Sequence, residues 1–401
     1  MFNDIKEHHN PPKSSPAFKT PEQIAKAEEK TKPAIETIAL EEIPKKMKKR
    51  IKFTKKRIII LAATLVVVLG LVGWLAYRHY HHVTHKTTAS KIIIEKPVST
   101  TVPSTLSGLP VAPSVNKLPV TGIMIENEID ARPQSGLDQA GVVFEALAEG
   151  GITRFLALYQ DTQPSYIGPI RSARPYYISW CLGFDCDYAH VGGSPDALSD
   201  ITAWGVKDLN QFYNGGAYQR ITSRVAPHNV YSSIASLNTL EDSKGYTTSN
   251  YQGFPRKIAT PLKVPTTTTI SLNLGTSEYN ASYAYDSTTN AYDRSQAGQL
   301  MTNADANGTL IQIAPKVVIA IIVPFSQGAL DASDAYYSNY AVVGSGAAYV
   351  FQDGGVTVGT WQKTSNAAQI TFSDAQNQPI KLDPGQTWIT ALTDSSDLTY
   401  N

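Results

Sequence analysis

The sequence predicts a single N-terminal transmembrane helix carrying an α+β unit, followed by an all-β unit in the form of a small barrel or sandwich. Three observations lead there. Residues Ile58 to Tyr77 contain no charged side chain. Strand-like alternation and helix-start signals share the stretch from Val142 to Ser194, whereas beyond about residue 265 the chain is rich in Thr, Val, Tyr and Gly and punctuated by hairpin turns. Between these regions, Gly253-Phe-Pro-Arg-Lys and Pro261-Leu-Lys-Val-Pro mark a change of composition. The expected organisation is a cytoplasmic tail over 1–57, an anchor over 58–77, a stalk over 78–117, an α+β domain over 118–258 and a β-rich domain over 259–401.

The tail holds 15 Lys/Arg against 8 Asp/Glu, nine of the cations lying between Lys45 and Arg57. Few aromatics and many Lys, Glu, Pro and Thr residues make it an expected disordered segment. The uncharged run that follows suffices, at about 1.5 Å of helix rise per residue, to cross a hydrocarbon core of roughly 30 Å. It lies too deep in the chain and is too long for a secretory signal, and no clear small-x-small cleavage site follows it. It therefore predicts an uncleaved anchor. The basic flank places the N-terminus in the cytoplasm and the remainder outside the cell, with Trp74 and Tyr77 in the outer aromatic belt. That flank also suits anionic headgroups, at about 1 kcal/mol per cation.

His79, His81, His82 and His85 follow the anchor. A metal-binding reading exists, but a juxtamembrane spacer is preferred, and no metal or cofactor is expected. Ser90 to Leu118, rich in Pro, Ser, Thr and Val, suits an extended stalk. The two cysteines, Cys181 and Cys186, suggest a local disulfide or a pair of buried thiols, the former being permitted outside the cell. No cysteine near the start suits a lipoprotein anchor.

In the α+β unit, Val142–Glu149 and Ile152–Tyr159 alternate as strands around Gly150-Gly151, a two-residue turn. Closing that turn with Glu149 opposite Ile152 sets Arg154 against Leu147, diagonal to Glu145 and Glu149. Tyr188-Ala-His-Val forms a strand into Gly192-Gly193, and Ser194 caps a helix with Pro195 at its first position. A helix beginning at Ser172 would gather Arg171 and Arg174 at its positive end, a receptor for carboxylate or phosphate. In the β unit the expected strands are Lys316–Val323, Ala347–Gln352, Val356–Lys363, Ala368–Ser373, Ile380–Leu382 and Thr387–Leu392.

Charged and small residues crowd into short clusters between Ile125 and His228. Arg132, Arg154, Arg171, Arg174, Glu126 and Asn127 are the candidate ligand-binding residues, and Arg220 and Arg224 are possible extensions of the basic patch. His190 and His228, partnered by Glu145 or Glu149, are the candidate acid–base residues. Internal pairing of the arginines with Glu126, Glu145 or Glu149 is the alternative. Ser194 is explained as a helix cap, since Gly-Gly-Ser-Pro-Asp is not a nucleophile elbow. No phosphate loop, dinucleotide fingerprint or metalloprotease helix occurs. From Val120 onward 15 Lys/Arg face 25 Asp/Glu, which argues against nucleic acid as a partner.

Taken in order, Ile125-Glu-Asn, Ala131-Arg-Pro-Gln-Ser-Gly, Glu149-Gly-Gly-Ile-Thr-Arg, Gly168-Pro-Ile-Arg-Ser-Ala-Arg-Pro, His190-Val-Gly-Gly-Ser and Ala226-Pro-His-Asn resemble the YerB-like extracytoplasmic bacterial family. Tyr292-Asp-Arg, Gly346-Ala-Ala-Tyr-Val-Phe, Trp361-Gln-Lys and Pro384-Gly-Gln-Thr-Trp-Ile extend the resemblance into its C-terminal partner domain. That resemblance covers about residues 115–395 and implies surface attachment and involvement with the cell wall, without an established activity or catalytic residues. The expectation is a membrane-anchored envelope protein that binds an anionic wall component or a wall-synthesis partner. The alternatives are an envelope hydrolase with a His/Glu pair, or a scaffold whose arginines are internally paired.

Overall fold

The computed structural model describes residues 55–83, 100–330 and 335–401. Most of the expected disordered tail, and residues 84–99 of the expected stalk, lie outside the described residues. Lys55–Val83 is one helix, α1. It is long and apolar enough to cross a membrane.

A ten-stranded sheet organises residues 100–401. Its strands, labelled in chain order, are β1 (Thr121–Glu126), β2 (Val142–Leu147), β3 (Thr153–Tyr159), β4 (Asp187–Ala189) and β5 (Lys207–Asp208). Then come β6 (Val317–Ile322), β7 (Gly344–Gln352), β8 (Gly355–Lys363), β9 (Thr371–Asp374) and β10 (Thr387–Leu392). Their spatial order is β9-β8-β7-β6-β10-β2-β3-β1-β4-β5. Strand β10 lies parallel to both β2 and β6, with Phe144 opposite Ile389 and Ile319 opposite that same residue.

Alternation along these strands divides two cores. Met124, Phe144, Ala146, Leu156, Ile319 and Ile389 share one face with α2 (Pro175–Leu182) and α3 (Pro195–Ala203). Ile125, Val143, Phe155, Val318 and Trp388 share the other with α4 (Ile234–Lys244) and a five-stranded sheet. That second sheet runs, in spatial order, Gln299–Leu300, Ala291–Gln296, Ala281–Asp286, Thr269–Leu272 and Leu398–Tyr400.

Several expectations change here. The C-terminal region is not a separate barrel or sandwich: β6 and β10 are central strands of the sheet that holds β1 to β5. Apolar runs such as Val317–Ile322 need cover on both faces, and the two cores supply it. The stalk ends earlier than residue 117. Val102–Pro103 pairs with Pro110–Val111, and Leu106 is fully buried in the first core, with its carbonyl accepting from Arg256 Nη2. Helix α2 begins at Pro175, leaving Arg174 at the cap and Arg171 outside the helix, because proline preorganises the first helical position. Ser194 does cap α3, accepting from the Ala197 amide at 3.3 Å. Cys181 and Cys186 form a disulfide with Cα atoms 5.3 Å apart.

The register of the β2–β3 hairpin is the most consequential difference. Glu149 closes the turn, its carbonyl accepting from the Ile152 amide at 2.9 Å, with Gly150 and Gly151 both at positive φ. The Ala148 amide then also bonds the Ile152 carbonyl, at 2.7 Å. One extra residue is thereby absorbed, and the ladder resumes with Leu147 opposite Thr153 and Ala146 opposite Arg154. A one-residue offset exchanges sheet faces. Arg154 lies with Ala146 and Leu156, and Glu145 points to the other core.

Candidate functional site

The charged clusters converge around the Glu126 end of β1, where backbone contacts tie them together. The Glu126 amide donates to Pro169 O at 2.9 Å, and Arg171 N donates to Met124 O at 2.9 Å. Val191 N reaches Arg171 O at 3.0 Å, while Ala173 N reaches Gly192 O at 2.9 Å. Side chains extend the joint: Gln134 Nε2 donates to Glu126 O at 3.1 Å and Asn127 Oδ1 at 2.9 Å, and Asn127 Nδ2 donates to Thr153 Oγ1 at 2.6 Å.

Along this junction charges alternate from the interior outward. Glu149 accepts from both Arg154 and Arg174, whose side chains are 2% and 6% exposed and therefore have no free solvent-facing surface for a ligand. Arg154 also donates to Ser172 O at 3.2 Å, and Arg174 stacks over Tyr337 at 5.0 Å. Burial pushes the Glu149 carboxyl up, but the two guanidiniums overcome it and hold the group below its ordinary value. Across the strand, Glu126 stands directly opposite Arg154. Its two oxygens meet Arg171 Nε at 2.8 Å and His228 Nδ1 at 3.0 Å.

The outer end is open. Arg171 is 27% exposed and His228 18%. Among the described residues, the terminal nitrogens of Arg171 and Nε2 of His228 have no hydrogen-bond partner. Arg132 lies alongside, its Nε and Nη2 donating to Asn127 O at 3.2 and 3.0 Å and its guanidinium over Tyr279 at 5.0 Å. Burial lowers the Arg132 pKa. Arg224 Nη2 donates to Pro133 O at 2.7 Å, while its Nη1 is buried without a partner.

Two acid–base candidates fall outside this junction. Glu145 is fully buried in the second core, paired with Arg294 at 2.8 Å and accepting from Trp388 Nε1 at 2.9 Å. Arg294 also donates to Tyr283 and stacks over Trp388 at 4.6 Å. His190 is likewise fully buried, its ring nitrogens meeting Gly192 O at 2.7 Å and Asp208 Oδ1 at 2.9 Å. Neither histidine hydrogen-bonds to Glu145 or Glu149; the His/Glu contact that forms is His228–Glu126. Sequence reasoning missed Glu145's partner Arg294, which a one-residue shift of the hairpin exposes. It also missed Gln134, whose place in the Arg132-Pro-Gln cluster was the available signal.

The chain belongs to the family described as protein of unknown function (DUF3048): the N-terminal domain of that family matches residues 106–247 and its C-terminal domain residues 270–389. More particularly, it is similar to the Bacillus subtilis (strain 168) protein named "Putative lipoprotein YerB", with 30% identity over 293 residues, covering 72% of this chain and 86% of that protein. The crystal structure of YerB protein from Bacillus subtilis matches with a TM-score of 0.66 and 27% identity, over 75% of this chain and 99% of that one.

Proposed function

We propose that this is a membrane-anchored envelope protein whose extracytoplasmic unit binds an anionic wall component, or an acidic patch on a wall-synthesis partner, at the open end of the charged junction. Helix α1, whose first residues complete the basic run from Lys45 to Arg57, supports a single span with the N-terminus inside. The lipoprotein name carried by YerB supports an envelope location.

One observation carries the binding reading: Arg171 is held through Nε by Glu126, its side chain is 27% exposed, and its terminal nitrogens have no hydrogen-bond partner among the described residues. A guanidinium oriented in this way is suited to carboxylate or phosphate. Arg154 and Arg174, committed to Glu149, position the junction rather than grip the ligand.

The His228–Glu126 contact favours a second reading, a hydrolase in which that pair moves a proton. Incubating the purified protein with wall fragments tests both. Retention without released product, abolished by Arg171→Gln, supports binding. Product formation lost in His228→Ala would favour hydrolysis, and the absence of both retention and product would remove the two readings together.

A further inference from the structure

At the open end, His228, which the hydrolase reading also uses, lies beside two acidic side chains that neither reading uses. One ring nitrogen of His228 and carboxylate oxygens of Glu128 and Asp130 all lie within 4.8 Å of one another. We propose that these three side chains bind a divalent transition-metal cation of the Zn2+ class, with Glu126 holding the histidine in its ligating tautomer.

The chemistry follows from what each group has left to offer. His228 Nδ1 donates to Glu126 at 3.0 Å; the lone pair available to a cation is then on Nε2. A carboxylate holding the distal ring nitrogen is the support that metal-bound histidines use, fixing the ring and raising its basicity. Glu126 is itself held by Arg171. Its charge is thus offset locally, leaving Glu128 and Asp130 to neutralise the cation.

Glu128 is pinned at one oxygen, which accepts from the Asp130 amide at 2.6 Å. The Asp130 carboxylate has no hydrogen-bond partner among the described residues, and that side chain is exposed. One nitrogen and two carboxylates suit zinc, with bonds of about 2.0–2.2 Å and a further position for solvent or substrate. Ligand atoms around such an ion sit roughly 3.4 Å apart, so side-chain rotations of about an ångström close the set. Exposure of Asp130 leaves it free to make them. The site is independent of whether Arg171 meets an anion.

The test is equilibrium dialysis of full-length protein, stripped of metal and held in detergent, against Zn2+ alone. His79, His81, His82 and His85 can contribute a background, so the reading is the difference between wild type and variants. His228→Ala is expected to lose one equivalent of bound zinc, Asp130→Asn to weaken that equivalent at least tenfold, and Glu126→Gln to weaken it by about 10–100-fold. Thermal unfolding of each variant separates lost binding from lost fold. Asp130→Asn, being exposed, keeps the test valid if His228→Ala unfolds. Identical stoichiometry and affinity in wild type and Asp130→Asn would overturn the proposal.

Discussion

At the scale of single residues, Glu149 and Arg171 illustrate two uses of charge. Glu149 pairs with two nearly buried guanidiniums. Its removal leaves both cations without their partner, and breaking a buried pair costs about 3–5 kcal/mol. Glu149→Ala is therefore expected to lose that much stability, measured by urea unfolding. Arg171 is more exposed, and its buried partner Glu126 keeps the His228 contact, so Arg171→Gln should cost about 1–3 kcal/mol, less than Glu149→Ala. An Arg171→Gln protein as destabilised as Glu149→Ala would make the outer end structural too. Sequence reading placed the two residues in separate clusters of one charged stretch and preferred Arg154 and Arg174 as ligand grips, with internal pairing to a glutamate as the alternative. Pairing depends on which side chains share a sheet face, and composition does not specify that.

Individual elements were more legible where local chemistry decides them. Ser194 and Pro195 announce α3, and Gly150-Gly151 announces the hairpin, because capping and positive φ are properties of a few neighbouring residues. Ser194→Ala should cost about 1 kcal/mol, checked in the same unfolding assay. Register was not legible: the extra residue at Ala148 is chosen by the burial of both faces, a long-range matter. Glu145 consequently belongs to Arg294, far along the chain.

A second long-range meeting predicts a pH effect. Asp187 on β4 is pushed up to about 8 by burial and then by Glu241, while burial pushes Glu241 on α4 up to about 7. Thr121 on β1 donates to Glu241 at 2.7 Å, and Lys207 on β5 lies 3.5 Å from Asp187. Unfolded carboxyls titrate near ~4, so the native state holds more protons between that pH and about 8. Their contribution to stability is fully present below about pH 4 and is lost as pH rises through the folded values. The melting temperature should fall between pH 5 and pH 7, and Asp187→Asn should flatten the decline. An unchanged pH profile in that variant would remove Asp187 from the account.

For the whole molecule, the two family patterns fall on either side of residue 258, yet one sheet runs through both. A break in composition was visible in the chain. The joining of β2 to β10 was not, since parallel pairing across more than 200 residues leaves no local signal. Residues 100–401 should accordingly unfold in a single transition, seen identically by far-UV circular dichroism and tryptophan fluorescence. Two separated transitions would restore a division into independent units.

The envelope-binding account rests on Arg171 meeting an anion outside the membrane. Its most direct measurement is the affinity of full-length protein for a soluble anionic wall polymer, comparing wild type, Arg171→Gln and, as a charge-matched control, Lys381→Gln at an exposed position outside the candidate site. Loss of a charge-assisted hydrogen bond of about 1.5–3 kcal/mol predicts at least a tenfold weakening for Arg171→Gln, with Lys381→Gln near wild type. Equal affinities for wild type and Arg171→Gln would contradict the account.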